Sequence, residues 1–249
     1  MNLPPHHNGD CYSAAPKGLI PVWCGGLLHQ LKKAVFRFNH GRIEKKIIRA
    51  SREDNDFFFI QIGSNDGVSG DPIHKFVVSY RWQGVLVEPV RYLFRMLLAT
   101  YKNQPGLFFE NAAIDKEAGY KSFYSVRKVN GPDHALWYEK LGSFNKEHLL
   151  KHRRKIPDFD DRLIEEKVRC MTLKDLLIKY NINKINLLHI DAEGYDYEII
   201  KTIPFNEIKP IMILYENKHL SVSDKSACKE LLRSHGYKLI KSKDTFAYL

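Results

Sequence analysis

Carboxylates close three apolar runs of this chain. Val85-Leu86-Val87 ends at Glu88, Leu187-Leu188-His189-Ile190 runs into Asp191, and Ile211-Met212-Ile213-Leu214-Tyr215 ends at Glu216. A fourth run, Phe57 to Ile62, feeds the turn Gly63-Ser64-Asn65-Asp66-Gly67. Glycine lets backbone pass close to a ligand that a side chain would exclude. Ligands of open α/β sheets sit outside the carboxyl ends of the strands, where these turns and acids would collect. Glu88 follows the glycine turn at about the spacing that lets an acid reach ribose hydroxyls. Gly63-x-x-x-Gly67 lacks the third glycine of a dinucleotide fingerprint, and Asp66 inside the turn would repel a pyrophosphate. A nucleoside with positive charge and no phosphate fits better, which describes S-adenosylmethionine.

A second cluster could do chemistry on an acceptor. Strand side chains alternate, so His189, Asp191 and Glu193 would share one face while the strand stays extended. Glu216 is followed by Asn217-Lys218-His219. A hydroxyl is a poor nucleophile near neutral pH and needs a base or a divalent cation. Asp191 is the expected general base or metal ligand, with Glu193 and Glu216 as helpers and His189 and His219 as further catalytic candidates. Asp191, Glu193 and Glu216 offer oxygen ligands, which suit Mg²⁺ or Mn²⁺ better than Zn²⁺.

Four stretches carry a family resemblance: Ile62 to Gly67, Glu110-Asn111-Ala112-Ala113-Ile114, His189-Ile190-Asp191-Ala192-Glu193-Gly194 and Asp244-Thr245-Phe246-Ala247-Tyr248. They resemble FkbM-type methyltransferases over about Phe57 to Leu249, and residues 1–56 share no such likeness. The resemblance implies an α/β fold of the Rossmann-like class I methyltransferase kind. Its sheet is mostly parallel and seven-stranded, with helices on both faces and an antiparallel last strand. It also implies S-adenosylmethionine at Gly63, Ser64, Asn65, Asp66, Gly67, Glu88, Pro89, Asn111, Ala112 and Asp191, with the Asn111-Ala112 backbone beside the adenine. The expected reaction is O-methylation of a sugar, glycan or related natural product. An RNA methyltransferase would explain the basic charge, but residues 187–191 lack the Asn/Asp-Pro-Pro-aromatic motif of enzymes that methylate base amino groups. A non-catalytic cofactor-binding module on the same fold is the other alternative.

Alternating strand and helix patterns must position these groups. Strands are expected at 57–62, 85–88, 107–110, 121–125, 185–191 and 211–216, with helices at 73–80, 90–101, 172–180 and 224–235. Thr172 with Asp175 forms an N-cap pair. Tyr237 to Ile240 and Thr245 to Leu249 read as a terminal hairpin. Residues 1–56 form an N-terminal extension in which Leu27 to Phe38 make a basic amphipathic helix closed by His40-Gly41. Ile43, Ile47 and Ile48 continue as a second helical piece. That apolar face either covers the catalytic domain or lies on a membrane surface. Residues 57–249 form the methyltransferase domain. Within it, residues 127–170 read as a long polar insertion carrying Trp137, Tyr138 and the basic run Lys151-His152-Arg153-Arg154-Lys155, which makes a substrate lid one reading. A helical excursion pinned to the core by Trp137 is the other.

Composition is compatible with this organisation. The 249 residues are 44% hydrophobic and carry a formal net charge of +10, with the basic excess outside the motif-bearing core. A basic rim could attract an anionic small-molecule or glycan acceptor. The four cysteines show no metal or disulfide spacing, so reduced thiols and a cytoplasmic location are expected. Neither a membrane-spanning run nor a charged leader before an apolar stretch is evident.

Overall fold

The computed structural model describes residues 39–128 and 137–249. The helix expected over Leu27 to Phe38 lies outside them. Helix α1 (39–53) opens the described chain, followed by β1 (Phe58–Ile62), α2 (His74–Tyr80), β2 (Gln83–Val87), α3 (Arg91–Thr100) and β3 (Leu107–Glu110). Next come β4 (Ala113–Ile114), β5 (Gly119–Val126), β6 (Gly142–Ser143), α4 (Lys146–Leu150), α5 (Phe159–Arg162) and β7 (Leu163–Met171). The chain closes with α6 (Leu173–Lys179), β8 (Leu187–Ile190), α7 (Asp196–Lys201), β9 (Met212–Tyr215), α8 (Val222–Ser234), β10 (Lys238–Lys241) and β11 (Thr245–Tyr248).

The main sheet has the order β10-β11-β9-β8-β1-β2-β3. Pairs β1–β2, β2–β3, β1–β8 and β8–β9 are parallel, while β11 runs antiparallel to both β9 and β10. The chain leaves β1 towards β2 and β3, then returns to lay β8 on the other side of β1. This reversal is a topological switch point, the place where such sheets open a ligand crevice. Strands β8 and β9 are buried throughout, as near-continuous apolar runs must be when helices cover both faces. Helix α6 carries the expected cap: Thr172 and Asp175 exchange side-chain and backbone hydrogen bonds.

Three expectations need correction. Gly41 lies inside α1 and does not end a helix. A glycine there costs about 1 kcal/mol against alanine, and burial of Ile43 and Ile47 beside Phe57, Phe59 and Phe246 outweighs it. The segment 163–170 is strand, not part of an irregular insertion. It belongs to a second sheet of order β4-β7-β5-β6, in which β5 and β7 pair from Gly119↔Cys170 to Val126↔Leu163. Its charges, Glu165, Glu166, Lys167 and Arg169, disguised it, because only Val168, Cys170 and Met171 turn fully inward. Finally, Trp137 does not pin the insertion: it is 50% exposed, and Tyr138, Leu149, Ile156 and Phe159 make the small core instead.

Candidate active site

The parallel strands end on one edge, so the turns after β1, β2, β8 and β9 gather there. Gly63 has φ +78°, and a β-carbon on it would stand 1.9 Å from the Asp191 carbonyl oxygen. Gly67 has φ +77°, and its β-carbon would meet Leu97 Cδ1 and Tyr101 Cε2 at 2.7 Å each. Contacts inside the protein therefore require both glycines, whether or not a ligand also approaches. The N–H groups of Gly63 and Ser64 both donate to the Val87 carbonyl at 3.0 Å, and that of Gly67 donates to the Ser64 carbonyl at 2.9 Å. Asn65 N–H donates to Glu88 Oε2 at 2.8 Å. These four donors are engaged, so they cannot form the N–H cradle that a pyrophosphate demands.

Asp66 folds this loop. Its Oδ1 accepts from the Val68 and Ser69 N–H groups at 3.1 and 2.8 Å. Burial pushes its carboxyl upwards, but those hydrogen bonds outweigh burial and hold it below the usual value. Glu88, 3% exposed, accepts from Asn65 and from Val90 N–H at 2.9 Å. Burial dominates at Glu88 and raises its carboxyl to about 7, with Asp191 and Asp66 adding repulsion. Asn111 Nδ2 donates to the Glu88 and Pro89 carbonyls at 2.8 and 3.1 Å, which fixes the shape of that turn.

Beside these residues lies a cleft walled by Gly63, Asn65, Glu88, Pro89, Val90, Ala113, Phe123, Asp191, Glu193 and Tyr195. Ser64 and Asp66 face a smaller adjoining hollow with His189 and Asp191. Ala112 sits in the core, so its neighbour Ala113 forms the wall. The sequence reading also missed Phe123 and Tyr195. Tyr195 donates its hydroxyl to Asp115 Oδ1 at 2.7 Å, and Asp115 also pairs with Lys121.

The acids after β8 and β9 do not share one face. Strand β8 stops at Ile190, and Glu193 takes φ +47°, so the alternation expected for His189, Asp191 and Glu193 breaks at Glu193. His189 is buried, its Nδ1 has no partner among the described residues, and burial lowers it to about 4, so it is a neutral imidazole. Asp191 lines the cleft and also a second hollow walled by His40, Ile43 and Ile47 of α1 with Glu216 and Asp244. Burial raises the Asp191 carboxyl to about 7 and that of Glu216 to about 8, with neighbouring acids adding to both. Asp196, fully buried, accepts the Glu216 N–H at 3.1 Å and the Gly194 N–H at 3.3 Å.

Glu193 turns towards the insertion. Its Oε2 lies 3.1 Å from His148 Nε2 and 3.5 Å from His219 Nε2, and Glu216 Oε2 lies 3.6 Å from the latter. Among the described residues, the metal-competent group is His148, Glu193 and His219, not the expected Asp191, Glu193 and Glu216. In the basic run, Lys151 lines a hollow beside this group, and Arg153 pairs with exposed Asp160.

The switch-point cleft and the reversed last strand define a Rossmann-like methyltransferase arrangement. A family model described as the methyltransferase FkbM domain matches residues 61–239. The chain belongs to the FkbM methyltransferase family. Membership implies S-adenosylmethionine as methyl donor. Among solved structures, a methyltransferase FkbM from Methylobacillus flagellatus KT is similar at 11% identity and TM-score 0.49, over 78% of this chain and 44% of that one. The Methanococcus jannaschii fibrillarin pre-rRNA processing protein is similar at 11% identity and TM-score 0.38, over 77% of this chain and 65% of that one. A precorrin-6y C5,15-methyltransferase from Geobacter metallireducens GS-15 gives 10% identity and TM-score 0.39, over 82% and 86%. The chain thus spans under half the length of the first of these. Comparison with curated proteins gives no match. Among the described residues, no helix is long and apolar enough to cross a membrane.

Proposed function

We infer that this chain is an S-adenosylmethionine-dependent O-methyltransferase that acts on a hydroxyl of a sugar, glycan or related natural product. The observation that carries the reading is the union of Glu88 with the Gly63 turn. A buried carboxylate with acceptor capacity faces a cleft whose glycine-turn N–H groups are spent within the protein. Such a site selects a diol and rejects a phosphate. Asn65 Oδ1 is a buried acceptor beside the same cleft with no partner among the described residues, and it suits a cationic amino group.

When bound, the cofactor supplies an electrophilic methyl group on a sulfonium. The chain's own residues have the remaining work of orienting an acceptor and removing its proton. Asp191 is suited to the second task by position, since it stands on the wall common to the cleft and the hollow under α1. His189 lines the same hollow as a neutral ring, and Glu216 extends its acid wall. Lys146 and Lys151, on the hollow beside His148, Glu193 and His219, favour an acceptor carrying negative charge.

Calorimetry with S-adenosylhomocysteine tests the assignment. Losing a charged hydrogen bond costs about 1.5 to 3 kcal/mol, so Glu88→Ala should weaken binding on the order of 10- to 100-fold. Equal affinity in wild type and variant would refute the ribose role of Glu88, and no binding in either would refute the cofactor.

A further inference from the structure

His148, Glu193 and His219 come from three separate parts of the chain: α4 of the insertion, the turn after β8 and the turn after β9. Both imidazole Nε2 atoms nevertheless approach the same carboxylate oxygen, Glu193 Oε2, at 3.1 and 3.5 Å. All three ligand atoms lie within 4.8 Å of one another. A tetrahedral ion with bonds of about 2.0 to 2.1 Å sets its ligands about 3.3 Å apart. The observed separations need only small side-chain adjustment to reach that geometry. His148 is buried and its ring packs edge-on against that of His219 at 4.4 Å between centroids, which restricts both rings before any ion arrives.

Two further observations point to a ligand here. Among the described residues Glu216 Oε2 is buried without a hydrogen-bond partner and stands 3.6 Å from His219 Nε2, so an unspent acceptor borders the group. A hollow lined by Ser143, Asn145, Lys146 and Lys151 reaches His148, Glu193 and His219 from outside, while Glu193 also walls the cofactor cleft.

We propose that His148, Glu193 and His219 bind a divalent transition ion of the Zn²⁺ or Co²⁺ class, with an open coordination position facing the hollow. Two imidazoles and one carboxylate suit such borderline ions, whereas Mg²⁺ prefers oxygen ligands throughout. Three protein ligands with an open position is the arrangement of sites that hold an exchangeable oxygen ligand. The ion would bridge the insertion to the sheet beside the cofactor cleft. Metal binding is independent of the methyl-transfer reading.

Cobalt provides the readout. Full-length protein stripped with EDTA and titrated with Co²⁺ should develop visible d–d absorption that saturates at one equivalent. His148→Ala and His219→Ala, each checked for folding by circular dichroism, should weaken Co²⁺ binding at least about tenfold. Adding acetohydroxamate, a small bidentate oxygen ligand, should shift the bands of wild-type protein. Absence of bands with excess Co²⁺ would overturn the site, as would bands unchanged in both variants. Bands that ignore acetohydroxamate would overturn the open position. The wild-type titration decides the matter even if a variant fails to fold.

Discussion

A β-carbon on Gly63 would lie 1.9 Å from the carbonyl oxygen of Asp191. The turn after β1 and the end of β8 are thus in backbone contact, and the glycine turn cannot move without moving Asp191. Gly63→Ala should force the two strand ends apart as well as strain a positive φ, with a loss of at least about 3 kcal/mol. Gly41→Ala is the control. A β-carbon at Gly41 meets nothing within 4 Å among the described residues, so Gly41→Ala should gain about 0.5 to 1 kcal/mol. Chemical denaturation of both variants measures the contrast.

Glu88 predicts opposite pH trends for stability and for cofactor binding. Its folded-state carboxyl is raised from 4.5 to about 7, chiefly by burial. Between those values the folded chain keeps a proton that the unfolded chain has lost, so the Glu88 contribution to stability falls as pH rises through this window. The full drop is roughly 3 kcal/mol, and Glu88→Gln should remove it. A ribose diol needs the ionised acceptor, so affinity for S-adenosylhomocysteine should instead rise with pH up to about 7 and level above it. Denaturation midpoints and titrations of wild type and Glu88→Gln from pH 5 to pH 8 read both trends.

Asp196 ties the two acidic turns together through the N–H groups of Gly194 and Glu216. Asp196→Ala takes this acceptor from the Gly194 N–H, while the Glu216 N–H keeps the Ile190 carbonyl at 3.1 Å, so the change should cost about 1 to 3 kcal/mol. Asp196→Asn retains an acceptor oxygen and should cost less. Urea unfolding of the pair would refute the clamp if Ala and Asn were equivalent.

Asp191→Asn tests the proposed base. The change is nearly isosteric, so affinity for S-adenosylhomocysteine should stay within about threefold while kcat falls roughly 10²-fold or more, the scale usual for proton-transfer groups. Full kcat on a confirmed acceptor would assign the proton to another group.

Much of the main sheet was legible because its strands are apolar runs bounded by glycine, proline and acids, as at Phe58–Ile62 and Met212–Tyr215. The terminal hairpin and the cap on α6 were readable for similarly local reasons. Strand β7 was not, since its mixture of Glu, Lys and Arg resembles a solvated loop until β5 supplies the partner that buries Val168 and Cys170. Helix α7, only six residues long, left no clear helical period. The site was legible in its residue types and less so in its grouping. A positive φ at Glu193 redirects one carboxylate, and the meeting of His148 with Glu193 depends on tertiary folding across 45 positions.

The pairing of β5 with β7 has a further consequence. By bringing Val126 opposite Leu163, the ribbon closes residues 127–162 into a loop whose two ends already sit side by side. Closing a loop costs only about 0.6 kcal/mol more for each doubling of its length. Length can therefore change between the folded elements of this segment at little closure cost, provided that β6 keeps its pairing with β5 and Tyr138, Leu149, Ile156 and Phe159 keep their core. The side of the cleft lined by Gly142 and Phe144 can thus vary while the parallel sheet and its glycine turn stay as they are.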